Sequence, residues 1–108
     1  MTRFAHESEE FIAAILDHFK IKWEYEQKTF VIHTDEKGII KRALCPDFYL
    51  PDYDIYIEVT VMKKATRKRK KIGQVQELQP EIKIVLLDRD CINEIEKDKK
   101  AIFRFCVE

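Results

Sequence analysis

The stretch from Cys45 to Lys64 reads CPDFYLPDYDIYIEVTVMKK. Its second half, IYIEVTV over residues 55 to 61, is dominated by β-branched and aromatic residues and predicts a central strand. Successive side chains of a strand point to opposite faces. Ile55, Ile57, Val59 and Val61 therefore share one face, expected to meet the packed core, and Tyr56, Glu58 and Thr60 point the other way. The first half is punctuated by proline. Pro46 stiffens the approach, and Pro51 disfavours helix at the residue before it. Asp47 thus ends one extended segment, and Glu58 sits in the middle of the next. If the two segments are neighbours in a sheet, both carboxylates converge on one point.

Upstream, residues 8 to 19 carry apolar side chains at positions 12, 15, 16 and 19, a helical period with Ser8 as candidate N-cap. IKWEYE at 21 to 26 and TFVIH at 29 to 33 read as strands, DEKG at 35 to 38 as a turn, and IIKRAL at 39 to 44 as the antiparallel return. Downstream, residues 67 to 79 predict a helix with Ile72, Val75 and Leu78 on its apolar side, closed by Pro80. IKIVLL at 82 to 87 reads as a buried strand, DRDCINEIEKDKK as a short polar helix, and AIFRFCV at 101 to 107 as a closing strand. The expected architecture is one α/β domain, a central mixed β-sheet flanked by helices, with a helix crossing over between strands 55 to 61 and 82 to 87.

The chain has 108 residues, with twenty basic and twenty acidic side chains. The neutral total excludes nothing about nucleic acid, because the charge is unevenly spread. KKATRKRKK at 63 to 71 holds seven basic residues in nine, and Glu7, Glu9 and Glu10 crowd the beginning of the chain. Cys45, Cys91 and Cys106 are odd in number and widely spaced, with no CxxC. They read as reduced small hydrophobes of a cytoplasmic protein, and the histidines do not cluster with them as zinc ligands would. No apolar stretch is long enough to cross a membrane, and no signal-peptide run opens the chain. P-loop, dinucleotide and Ser-His-Asp patterns are absent from the sequence.

Two converging carboxylates repel and call for a proton or a cation. Magnesium favours oxygen ligands and keeps several waters, so Asp47 and Glu58 together with phosphate oxygens suit Mg2+, or Mn2+ in its place. The Thr60 hydroxyl, or a backbone carbonyl near residue 59, can complete the shell. An ion held there can polarise a phosphodiester. The bland reading of the same residues is a common turn at Pro46-Asp47 and an exposed glutamate at a sheet edge.

PDFYLP followed by IYIEVT resembles the PD-(D/E)xK nuclease superfamily, the restriction-endonuclease-like fold. The resemblance implies a helix, a hairpin, a metal-ligand strand, a crossover helix and a further strand, and magnesium-dependent cleavage of DNA. It identifies Asp47 as the motif aspartate and Glu58 as the motif acid. The residue two beyond the acid is usually lysine in the family and is Thr60 here. Several branches of the superfamily move that lysine to the following helix, where this chain has Lys68 and Lys71. Lys68 lies four residues before Ile72 and Lys71 four before Val75, so either can turn inward, with Lys68 preferred. The family's helix glutamate matches Glu9, which shares a helix side with Ile12 and Leu16, with Glu10 in reserve. Glu26 either stands behind the site or is a solvated strand residue. The resemblance spans roughly residues 6 to 87.

Arg67, Arg69 and Lys70 are the candidates for contact with the DNA backbone, with Lys63 and Lys64 extending the patch. The alternative reading of KKATRKRKK is a solvated helix face. Tyr49, Tyr53 and His6 are further candidates near the site. The expected function is a metal-dependent endonuclease, acting as a homodimer or inside a larger complex. The alternatives are a DNA-binding domain of the same fold without catalysis, and an interaction module whose basic helix binds an acidic protein.

Overall fold

A computed structural model describes residues 2–107. Helix α1 spans Glu7–His18, and Glu7, Glu9 and Glu10 in its first turn complement the positive end of the helix dipole. Its N-cap is His6 rather than Ser8: the cap lies two residues earlier than the sequence pattern indicates, and the His6 ring nitrogen accepts the Ser8 amide at 3.2 Å.

Five strands follow: β1 Glu24–Tyr25, β2 Phe30–Thr34, β3 Ile40–Leu44, β4 Phe48–Leu50 and β5 Ile55–Val59. Helix α2, Thr66–Leu78, leads to β6, Ile84–Leu87, and the chain continues through α3, Arg89–Lys97, and α4, Ala101–Cys106. The main sheet has the order β1-β4-β5-β6. The β1–β4 and β4–β5 pairs are antiparallel and β5–β6 is parallel, so the sheet is mixed, with α2 as the crossover. The hairpin β2–β3 stands apart as a two-stranded sheet. Its turn relies on Gly38 at φ 82° and on the Asp35 carboxylate, which accepts the amides of Lys37 and Ile39 at 2.9 Å each.

Three expected elements differ. PDFYLP is not merely a lead-in, because Phe48–Leu50 forms β4 in the middle of the sheet. AIFRFCV is helix α4, not a closing strand. A short apolar run does not distinguish strand from helix by its pattern. Here the run packs onto the helical layer, with Phe103 against Phe19 at 4.7 Å between ring centroids, and as a helix it satisfies its own backbone groups without a sheet edge. The strand expected over 21 to 26 is reduced to Glu24–Tyr25.

The alternation predicted for the central strand sorts the core into two layers. Phe48, Leu50, Ile57, Val59 and Leu87 face α1, α3 and α4, in one cluster with Ile12, Leu16, Ile95 and Ile102. Tyr56 and Ile84 face the other way, toward Ile72 and Val75 of α2 and toward Phe30 and Leu44 of the hairpin. Every residue of β5 is buried, as expected for a strand covered on both faces. Glu58 points to the α2 side, and that side is roofed rather than open to solvent.

Candidate functional site

The site forms where β4 begins and β5 ends. Phe48 pairs with Ile57 in an antiparallel register, and one step further along lie Asp47 and Glu58. The Asp47 carboxylate crosses to β5 and accepts the Val59 amide at 2.7 Å. The Asp47 carbonyl in turn accepts the Glu26 amide at 2.9 Å, so the strand end is held from both sides. Glu58 is buried, with a side chain 8% exposed.

The turn between β5 and α2 decides which lysine reaches this edge. Ala65, the residue before the first turn of α2, is buried and left-handed at φ 47°. That conformation costs an alanine about 1–2 kcal/mol, and it swings the chain sharply from the sheet into the helix. Lys68, in the first turn of α2, then reaches back over the strand. Its ammonium lies 2.9 Å from Glu58 Oε2 and donates to the Val59 carbonyl at 3.2 Å. Glu58 Oε1 is left buried without a hydrogen-bond partner. An unpartnered buried carboxylate oxygen is costly.

Glu9 enters from the first turn of α1. It is 6% exposed and accepts a short hydrogen bond from the Tyr25 hydroxyl, which itself accepts the Ala5 amide at 3.1 Å. Burial and the Glu9 carboxylate push the Tyr25 phenol upward, which keeps it a donor. Nothing in the sequence reading singled out Tyr25 for this contact. The available signal was the aromatic residue of WEYE beside a glutamate-rich helix start, but a donor sixteen residues from its acceptor is visible only in the fold.

The acids act on one another. Burial, then the Glu58 carboxylate and more weakly Glu9, raise Asp47 from 3.8 to about 7, against the Val59 amide and Lys68, which lower it. A cavity of about 140 Å³ lies beside these acids, lined by His6, Ser8, Glu9, Val59, Thr60, Val61 and Lys68; of the three acids only Glu9 lines it. The oxygen donors at this strand end are the Asp47 and Glu58 carboxylates and the Val59 carbonyl, ligand types that Mg2+ and Mn2+ accept. Among the described residues no three His, Cys, Asp or Glu side chains form a group able to hold a metal on their own. An ion on Asp47 and Glu58 would therefore complete its shell with the Val59 carbonyl, water or phosphate oxygens, as magnesium commonly does.

The other predicted residues are distributed around this edge. Thr60 is buried beside the cavity, its hydroxyl accepting the Met62 amide at 3.2 Å. Lys71 is half-buried further along α2. Lys63, Lys64, Arg67 and Lys70 are exposed. Arg69 is committed elsewhere: its guanidinium lies 2.6 Å from Asp88 Oδ2, and its Nε donates to the Lys64 carbonyl at 2.9 Å. Glu10 and Glu26 are exposed, and Tyr49 donates to Asp54 at 2.9 Å. The cysteines are free. Among the described residues no helix is long and apolar enough to cross a membrane. No family model, curated protein or solved structure matches the chain.

Proposed function

We propose that this domain is a divalent-metal-dependent deoxyribonuclease of the restriction-endonuclease-like kind. The observation that carries the reading is the meeting of Asp47, Glu58 and Val59 where β4 begins and β5 ends, with the Lys68 ammonium brought to Glu58 and the Val59 carbonyl by the next helix. Asp47, Glu58 and the Val59 carbonyl would hold Mg2+ or Mn2+. The bound ion would polarise the phosphodiester and lower the pKa of a coordinated water.

The chain's own residues supply the rest. Lys68 occupies in space the role that Thr60 cannot fill in sequence, donating to a phosphate oxygen or orienting the attacking water. Glu9, fixed by Tyr25, adds a carboxylate that can accept a hydrogen bond from water at the cavity wall. Lys63, Lys64, Arg67 and Lys70 are free to contact backbone phosphates, which gives affinity without reading sequence. So small a domain offers little area for reading bases, which favours a substrate recognised by its shape, a homodimer or a larger complex.

A second reading, a DNA-binding domain without catalysis, is favoured by Thr60 at the usual lysine position and by the Glu58–Lys68 ion pair, which half-neutralises the site. The test is incubation with branched, duplex and single-stranded DNA, with and without magnesium or manganese. Metal-dependent cleavage is expected, abolished by Asp47→Ala and by Glu58→Ala together with ion binding measured by calorimetry. Binding of DNA without cleavage of any substrate would establish the second reading. Unchanged ion affinity in both variants would sink the assignment of the site.

A further inference from the structure

Two contacts of Lys68 have a consequence beyond supplying a positive charge. Its ammonium touches Glu58 Oε2 at 2.9 Å and the Val59 carbonyl at 3.2 Å. These are two of the oxygens a divalent ion would need from β5. The remaining Glu58 oxygen is buried and bare. Each of these oxygens can accept a second partner, but a divalent ion bound to Glu58 and the Val59 carbonyl would stand within a few ångströms of the ammonium, and two cations that close in a buried site repel strongly. Lys68 is long, flexible and 35% exposed in its side chain, so it can leave without disturbing the helix that carries it.

We propose that Lys68 is a placeholder cation, holding Glu58 Oε2 and the Val59 carbonyl in the metal-free protein and giving them up when a divalent ion binds. This inference rests on the nuclease reading above. In the metal-free protein the ammonium prevents Glu58 from being an unpaired buried charge, which would be strongly destabilising. Once displaced, the ammonium remains tethered to the first turn of α2, beside the exposed Arg67 and Lys70, where it could meet a phosphate of a bound substrate. Metal entry would thereby arm the lysine: the group that guards the empty site becomes the group that contacts the substrate. Displacement also weakens metal affinity, because the ion must replace contacts already made.

The decisive measurement is nuclear magnetic resonance of the Lys68 Nζ group in 15N-labelled protein, assigned by its loss in Lys68→Arg, during a magnesium titration followed in parallel by calorimetry. The Lys68 signal is expected in metal-free protein, where pairing slows its exchange with water, and it should move to the position and exchange rate of exposed lysines as magnesium saturates. A signal that stays in place while calorimetry records bound magnesium overturns the placeholder and leaves the metal site standing. An absence of magnesium or manganese binding at millimolar concentration removes both readings. As a second arm, Lys68→Met should bind manganese about tenfold more tightly than the parent, the scale of one charge-assisted contact no longer to be displaced. Lys71→Met, which removes an equal charge from the same helix, should gain less. Equal gains in the two variants would mean general charge repulsion and would reject the proposal. If Lys68→Met fails to fold, the resonance measurement on the parent decides.

Discussion

Lys68 and Arg69 are consecutive residues of α2, and each reaches a carboxylate at the C-terminal ends of the parallel strands β5 and β6, yet the two pairs differ in kind. Arg69 meets Asp88 at 2.6 Å, and the other Asp88 oxygen accepts the Cys91 amide at 3.0 Å as the N-cap of α3. Both oxygens are satisfied. The capping amide and Arg69 outweigh the cost of burial and hold the Asp88 carboxyl below its ordinary range. Lys68 meets Glu58 at 2.9 Å, but one Glu58 oxygen has no partner, and neighbouring Asp47 is driven up to about 7 by burial and by the Glu58 charge. A satisfied pair is a clamp between α2 and α3. An unsatisfied pair beside a repelled carboxylate costs stability, and such perturbed groups mark a candidate site.

Removing the two cations in turn separates the two pairs. Lys68→Ala should slow single-turnover cleavage by roughly 10²-fold, with DNA affinity only slightly reduced, since the contribution is made mainly in the transition state. Arg69→Ala should leave the chemical step near the parental rate and lower the thermal midpoint instead, by roughly 4–8 °C for a loss of about 1 kcal/mol at a partly exposed pair. Parental cleavage by Lys68→Ala, or a kinetic defect in Arg69→Ala without loss of stability, would reverse the roles assigned here.

The two aspartates should also respond oppositely to pH. In metal-free protein, folded Asp47 keeps a proton up to about 7 that the unfolded chain releases near 3.8. The folded state binds more protons in that window, so this contribution to stability is lost as pH rises through it. Asp88 has the opposite sign: its stabilisation is present above the unfolded pKa and is lost as pH falls through the depressed folded value. Denaturant unfolding without metal should therefore show Asp47→Asn gaining on the parent between about pH 4 and about pH 7. Parallel profiles would show that Asp47 is ionised throughout.

The smallest expected effect separates free cations from committed ones. Arg67→Ala and Lys70→Ala should each lower the slope of log affinity against log salt by roughly one, read by fluorescence anisotropy. Arg69→Ala should lower it by less, because its guanidinium is already on Asp88. Equal slopes for all three would show that the Asp88 pair opens when DNA binds.

Much of this arrangement is local in origin and therefore legible in the residues. The alternation in IYIEVTV separates Ile57 and Val59 from Tyr56 and Glu58, and the two core layers follow that division. The closeness of Asp47 to β5 is expected from neighbouring extended segments, but Asp47 precedes β4 rather than ending a strand, and the β4–β5 pairing brings it there. The period of α1 buries Ile12, Leu16 and Glu9 together. These inferences needed only the spacing of side chains along one element and its nearest neighbour.

What remained open needed distances between segments remote in sequence. Lys68 and Lys71 are both at helical spacing from apolar residues, and the choice between them depends on the angle at which Ala65 sends α2 away from the sheet. Arg69 and Lys70 are indistinguishable in a basic run until Asp88 arrives from the end of β6. Tyr25 becomes the partner of Glu9 only because β1 pairs with β4 and so stands beside the start of α1. AIFRFCV is apolar enough for either strand or helix, and the helical layer around Phe19 gives it a surface to pack on as a helix. Local pattern determines which face of an element is apolar, because that depends on backbone period alone. Which charge meets which, and which oxygen is left bare, depends on packing between elements, and no single segment carries that information.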